Sequence, residues 1–146
     1  MISCTEFIPA YSELFKYIEE IDSYDAVKAY WHDISETGVR ANLGEQVKAH
    51  GVEGCWNYWS KSLTEEACDV RITYDEEKQV FATDMRRCPS KGHLLDYPHM
   101  EPYHDYCGHC DALYRPILEE LGLSEWHDYS QVDEAKCATR YWLEKK

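Results

Sequence analysis

Leu, Ile, Val and Phe supply only 27 of the 146 residues, and the net charge is −13. An aliphatic core of that size is too small to offset chain entropy and charge repulsion. Such a chain folds only if aromatic rings and sulfur take the missing place. Five Trp, twelve Tyr, three Met and seven Cys provide another 27 core-forming side chains, and each aromatic ring buries a large area. The composition therefore points to a single domain over residues 1–146 with an aromatic, sulfur-rich interior.

The charge narrows the partners. Residues 1–68 carry 12 acidic and 5 basic side chains, and residues 69–146 carry 16 and 10. Neither half offers the positive surface that a phosphate backbone or an anionic membrane requires, so no nucleic acid and no membrane is expected as a partner. No apolar run approaches the roughly 18–20 residues that span a bilayer. Met1–Ala10 has neither a basic n-region nor an apolar h-region. With an odd number of cysteines, this points to a cytoplasmic address and to thiols or metal rather than a disulfide scaffold.

Hydrophobic periodicity divides the chain near residue 67. Over about 1–66 the pattern is helical. Phe7, Tyr11, Leu14, Phe15 and Ile18 form one stripe. Ser23 caps a second helix with Val27, Tyr30, Trp31 and Ile34 inward, ending near Gly38. A third piece runs from about Leu43 to His50 and stops at Gly51, and Trp56 and Trp59 follow. Over about 68–143 the pattern changes. Val70, Ile72 and Tyr74 alternate with polar residues, Asp75–Lys78 makes a turn, and Val80–Met85 alternates again, giving a hairpin. Pro89–Pro102, with three prolines, reads as a loop. A helix lies between Tyr103 and Leu121, and Cys137, Thr139, Tyr141 and Leu143 form a last strand. The order predicts an α+β fold in which the hairpin and last strand form a small antiparallel sheet.

Chemistry-bearing residues concentrate between Arg86 and Asp111. If Tyr103–Leu113 is helical, His104, Cys107 and Asp111 share one strip at spacings of three and four, a set suited to activating a thiol. Cys110 on the same helix faces the core and reads as packing. Cys88 closes the second strand before Pro89, a position from which sites are often built, and an antiparallel neighbour would bring Cys137 close to it. Arg87 is placed to clamp a substrate carboxylate.

Two other chemistries remain open for the same residues. Cys107 and Cys110 supply half of a tetrahedral thiolate site, which Cys88, Cys137, His93 or His104 would complete around Zn or an Fe–S cluster. No second close ligand pair accompanies them. The tetrapeptide Cys107-Gly108-His109-Cys110 also resembles the redox motif of protein disulfide isomerases, which implies a dithiol oxidoreductase. The preceding Pro98–Tyr106 is polar and proline-bearing where that motif follows an apolar strand, and Tyr106 stands where a Trp is usual.

A hairpin ending in Arg87-Cys88-Pro89, a helix with Tyr106-Cys107 and Leu121-Gly122, Asp133, and a last strand opening at Cys137 together resemble the L-2-amino-thiazoline-4-carboxylic acid hydrolase-like family over about residues 68–143. The resemblance implies a small cytoplasmic α+β domain that opens a five-membered thiazoline ring. In that chemistry a thiolate or metal-bound water attacks the carbon between nitrogen and sulfur. His104 would move the proton, Arg87 would hold the carboxylate of the small-molecule substrate, and Tyr103 and Tyr106 would exclude water.

Overall fold

A computed structural model describes residues 7–66 and 68–143; Cys4, which has no partner pattern in the sequence, lies outside them. The fold is α+β, as expected. Helix α1 spans Phe7–Ile21 and α2 spans Tyr24–Ile34. A π-helical segment covers Ser35–Gly44, followed by α3 (Glu45–His50) and α4 (Val52–Glu65). Strands β1 (Asp69–Asp75) and β2 (Val80–Arg87) form the hairpin. Then come α5 (Pro89–Leu95), α6 (Gly108–Glu120), β3 (Leu123–Asp128), a 3-10 turn at Val132–Glu134, and β4 (Cys137–Leu143). The sheet has the order β1-β2-β4-β3 and every pairing is antiparallel. Among the described residues no helix is long and apolar enough to cross a membrane.

Several elements form for the reasons legible in the sequence. The Ser23 hydroxyl accepts from the Ala26 amide at 3.2 Å and caps α2. Gly51 ends α3 at φ +61°, a conformation glycine adopts without steric cost. Three expectations need correction. Gly38 does not stop α2, because the chain continues through it in wider π turns that bury Val39 and Leu43. Arg40 fastens that segment to α6 by pairing with both Glu36 and Glu120. Pro89 opens a helix rather than a loop, since its missing N–H costs nothing at the first helical position. The helix expected between Tyr103 and Leu121 is present, but it starts only at Gly108, so the condition that Tyr103–Leu113 be helical fails and His104 lies outside it.

The core falls into two clusters. In the first, Trp59 of α4 stacks on Phe81 of β2 and Tyr141 of β4, with centroids 5.4 and 5.2 Å away, and Leu43, Ile117 and Leu118 close over them. In the second, Phe15, Val27, Trp31, Tyr103 and Tyr106 tie the approach to α6 against α1 and α2. The Tyr103 amide donates to the buried Ser12 hydroxyl at 2.8 Å, and the Tyr24 hydroxyl donates to Asp105 at 2.6 Å. These contacts fix the backbone just before α6, which is where the site is built.

Candidate active site

A cavity of about 240 Å³ lies between the sheet, the first turn of α6 and the start of α5. The register of β2 against β4 makes its floor. Thr83 faces Thr139 and Met85 faces Cys137, and the two threonine hydroxyls bond at 2.7 Å. Side chains alternate along a strand, so both pairs lie on the face that meets the helices. Cys107 and Cys110 come from the start of α6, and Cys88 is the N-cap of α5. Its backbone amide donates to the Ala135 carbonyl at 2.8 Å, which holds it beside the entry to β4. Cys88, Cys107, Cys110 and Cys137 thus border one cavity. No three of these sulfurs lie within 4.8 Å of one another.

The first turn of α6 orders a base against one thiol. His109 Nδ1 meets the Tyr106 carbonyl, so the proton sits on Nδ1 and Nε2 is left as an acceptor. That Nε2 lies 3.5 Å from Cys110 Sγ. Thiol, imidazole and orienting carbonyl form the arrangement that lets a nucleophile hand its proton to a base. Burial holds the His109 pKa below the usual imidazole value, which keeps it neutral and leaves Nε2 free to accept a proton. Burial, with the Asp111 charge behind it, pushes the Cys110 thiol up to about 11. Burial first and the neighbouring Cys110 second push Cys107 and Cys137 up to about 12, and Cys88 moves the same way. The Lys91 ammonium works in the opposite direction on Cys107. All four thiols are therefore protonated at rest.

The other expected site residues are distributed differently. His104 pairs with Glu19 at 2.8 Å on the surface and is not on a strip with Cys107, because it precedes the helix. Arg87 donates to Asp96 and to the Gly92 carbonyl, and it is absent from the cavity wall. The cation that does border the cavity deeply is Lys91, 8% exposed; Lys136 borders it as well. Among the described residues, Lys91 makes no ion pair. His93 packs on the Tyr97 ring, 4.9 Å between centroids, outside the cavity wall. Tyr103 is a buried member of the second core cluster, and the Tyr106 hydroxyl bonds Ser90 at 2.6 Å. Cys55 is buried in the first cluster, and Cys68 donates to the Leu63 carbonyl.

Asp111 belongs to a neighbouring polar cluster. It pairs with Arg115 at 2.6 Å and lies 3.3 Å from His127 Nδ1, which also meets the Tyr129 hydroxyl at 2.6 Å. Arg115 pairs with the buried Glu125 as well. The ligand atoms of Asp111, Glu125 and His127 lie within 4.8 Å of one another, close enough for a cation, and the Arg115 guanidinium already sits between the two carboxylates. His127 and Tyr129 border the thiol cavity too.

His109, Lys91, His127 and Tyr129 were not among the expected site residues. No periodic signal marks His127, because two of the three inward positions of β3, Glu125 and His127, are polar while Trp126 lies on the opposite face. No protein-family model, curated protein or solved structure matches the chain.

Proposed function

We propose that this protein is a small-molecule hydrolase that opens a C–N or C–S bond of a carboxylated heterocycle, with Cys110 as nucleophile and His109 as its base. The observation that carries the reading is the 3.5 Å contact of Cys110 Sγ with the unprotonated Nε2 of a half-buried histidine, on the wall of a cavity. His109 takes the thiol proton as sulfur adds to the carbon between the ring nitrogen and sulfur. It returns that proton to the ring heteroatom that leaves, so the ring opens as the Cys110–carbon bond forms. Water, deprotonated by His109, then attacks the same carbon, the Cys110–carbon bond breaks, and His109 returns the proton to the departing Cys110 sulfur, so one water is consumed per ring opened.

With the Cys110 thiol raised to about 11, its proton has to pass to His109 for the sulfur to attack, because the thiolate is the nucleophile. Lys91, buried and without a carboxylate partner among the described residues, takes the role first expected of Arg87 and holds the substrate carboxylate. A volume of about 240 Å³ falls below the roughly 300–1,000 Å³ of drug-sized sites, in keeping with a small reacting group. The six described cysteines are all free, which supports a reducing, cytoplasmic setting.

The test is ring opening of 2-amino-thiazoline-4-carboxylate. Cys110→Ser and His109→Gln should each lower kcat/KM by about 100-fold or more with the circular dichroism spectrum unchanged, and Lys91→Met should raise KM. Full turnover by both of the first two variants would refute the assignment. A metal-binding reading would require the four thiols that border one cavity to draw closer, since no three of their sulfurs lie within 4.8 Å of one another. Elemental analysis of purified protein that finds about one Zn or Fe per chain, released together with newly alkylatable thiols, would put that reading first.

A further inference from the structure

A second cavity, of about 440 Å³, is bordered by α1, α2, α4 and α6 and falls within the roughly 300–1,000 Å³ range of ligand sites. Helical spacing builds its walls. On α1, Phe7 and Tyr11 lie one turn apart. On α4, Tyr58, Ser62 and the C-cap Glu66 follow one another at intervals of four, so all three share a face. Tyr58 also meets Trp59 and Tyr114, and the three ring planes cross at 82°, 65° and 69°, which boxes a corner instead of stacking flat. Tyr58 and Tyr114 are half-buried, and Phe7 and Tyr11 are 57% and 45% exposed, so these rings keep surface that a ligand can reach.

The sign of charge sets this cavity apart from the thiol cavity. Two lysines border the thiol cavity, whereas among the described residues no lysine or arginine borders this one and Glu66 is its one acidic side chain. Glu66 is half-buried and makes no ion pair among the described residues. The other polar groups are committed: Ser62 donates to the Tyr58 carbonyl, Ser90 bonds the Tyr106 hydroxyl, and His109 Nδ1 meets the Tyr106 carbonyl. Aromatic faces carry negative charge density. Faces and carboxylate together repel an anion and attract a cation. A metal ion needs several oxygen ligands and finds one carboxylate. A primary ammonium brings three N–H donors to that single group, whereas an N-methylated ammonium packs its charged head on the rings through methyl groups.

We infer that this second cavity binds a small organic cation, an N-methylated ammonium that packs on the accessible tyrosine rings and pairs with Glu66. The juxtaposition of several ring surfaces with one carboxylate that lacks a counter-ion carries the claim. The site is separate from the thiol cavity and does not depend on the hydrolase reading: a carboxylated substrate goes to the lysines, and the cation goes to Glu66. The net charge of −13 draws such a ligand to the protein in the first place.

The test titrates the full chain by calorimetry with choline and with 3,3-dimethyl-1-butanol, its uncharged carbon isostere. Choline should bind about tenfold or more tightly, and ethanolamine, the unmethylated ammonium, should bind more weakly than choline. The ratio of choline to isostere should fall toward one in Glu66→Gln. It should hold in Glu65→Gln, which removes the same charge from an exposed neighbour outside the cavity wall. Tyr58→Leu and Tyr11→Leu each remove one ring, from α4 and α1, and should weaken choline by about two- to fivefold, so a folding failure in one leaves the other to report. Equal binding of choline and its isostere, equal binding of choline and ethanolamine, or no binding of choline would overturn the inference. So would a ratio that changes alike in Glu65→Gln and Glu66→Gln, or a choline affinity unmoved in the folded ring variants.

Discussion

In the proposed hydrolase His109 is the residue on which the chemistry turns, and its protonation sets when the site works. Burial disfavours the charged imidazole, so the folded-state pKa lies below the usual value near 6.5. The kcat/KM profile reports ionisations of the free enzyme. It should therefore stay level from neutral pH down through 6.5 and decline only below it, and an acid limb centred above 6.5 would contradict a buried base. Stability follows the same direction. The neutral histidine's contribution is present above 6.5 and is lost as pH falls through the folded pKa. Cys88 and Cys137 were legible as neighbours because the strand patterns implied an antiparallel pairing, and β2 and β4 bring them to one cavity. His109 was not. Its partner is the adjacent residue, and contacts between successive residues leave no periodic trace. The expected base, His104, would share a helical face with Cys107 only if the helix began four residues earlier than it does.

At the level of elements, close approach of helices decides more than hydrophobic pattern. Gly54 lies inside α4, and a Cβ there would come within 2.4 Å of the Gln46 backbone in α3. Backbone atoms cannot swing aside as a flexible side chain can. Gly54→Ala should cost about 1–3 kcal/mol or more in urea unfolding, whereas Gly38→Ala, with nothing within 4 Å, should be neutral. An unchanged midpoint for Gly54→Ala would mean that α3 and α4 do not pack this way. The hairpin, α1, α2 and β4 were readable because each has one clean apolar face. The elements that escaped notice each lack that signal. The π segment has only a weak apolar stripe, and α5 is short and opens with Pro89, the residue that marks loops elsewhere. Strand β3 hides two buried ionisable groups, Glu125 and His127, on its inward face. Polar residues on a core-facing strand defeat a reading based on hydrophobicity, and here they join the polar cluster beside the site.

Across the whole molecule, layering a four-stranded sheet under the helices gathers thiols that stand at 88, 107, 110 and 137 in the chain. It also sets them against two lysines in a protein whose net charge is −13. Of these lysines Lys136 is already paired with Glu134, which leaves the buried Lys91 as the cation open to a small acid. The sheet gives the floor, the first turn of α6 gives the proposed Cys110–His109 pair, and the aromatic cluster around Phe15 holds the backbone carbonyl that orients His109. The most direct measurement is to quench the protein with acid during its first turnover of 2-amino-thiazoline-4-carboxylate, digest it and map adducts by mass. A substrate-derived adduct on the peptide carrying Cys110, formed within one turnover and missing from Cys110→Ser, is the expected result. Product release with the adduct on Cys107, or with no adduct on any cysteine, would contradict the Cys110–His109 site.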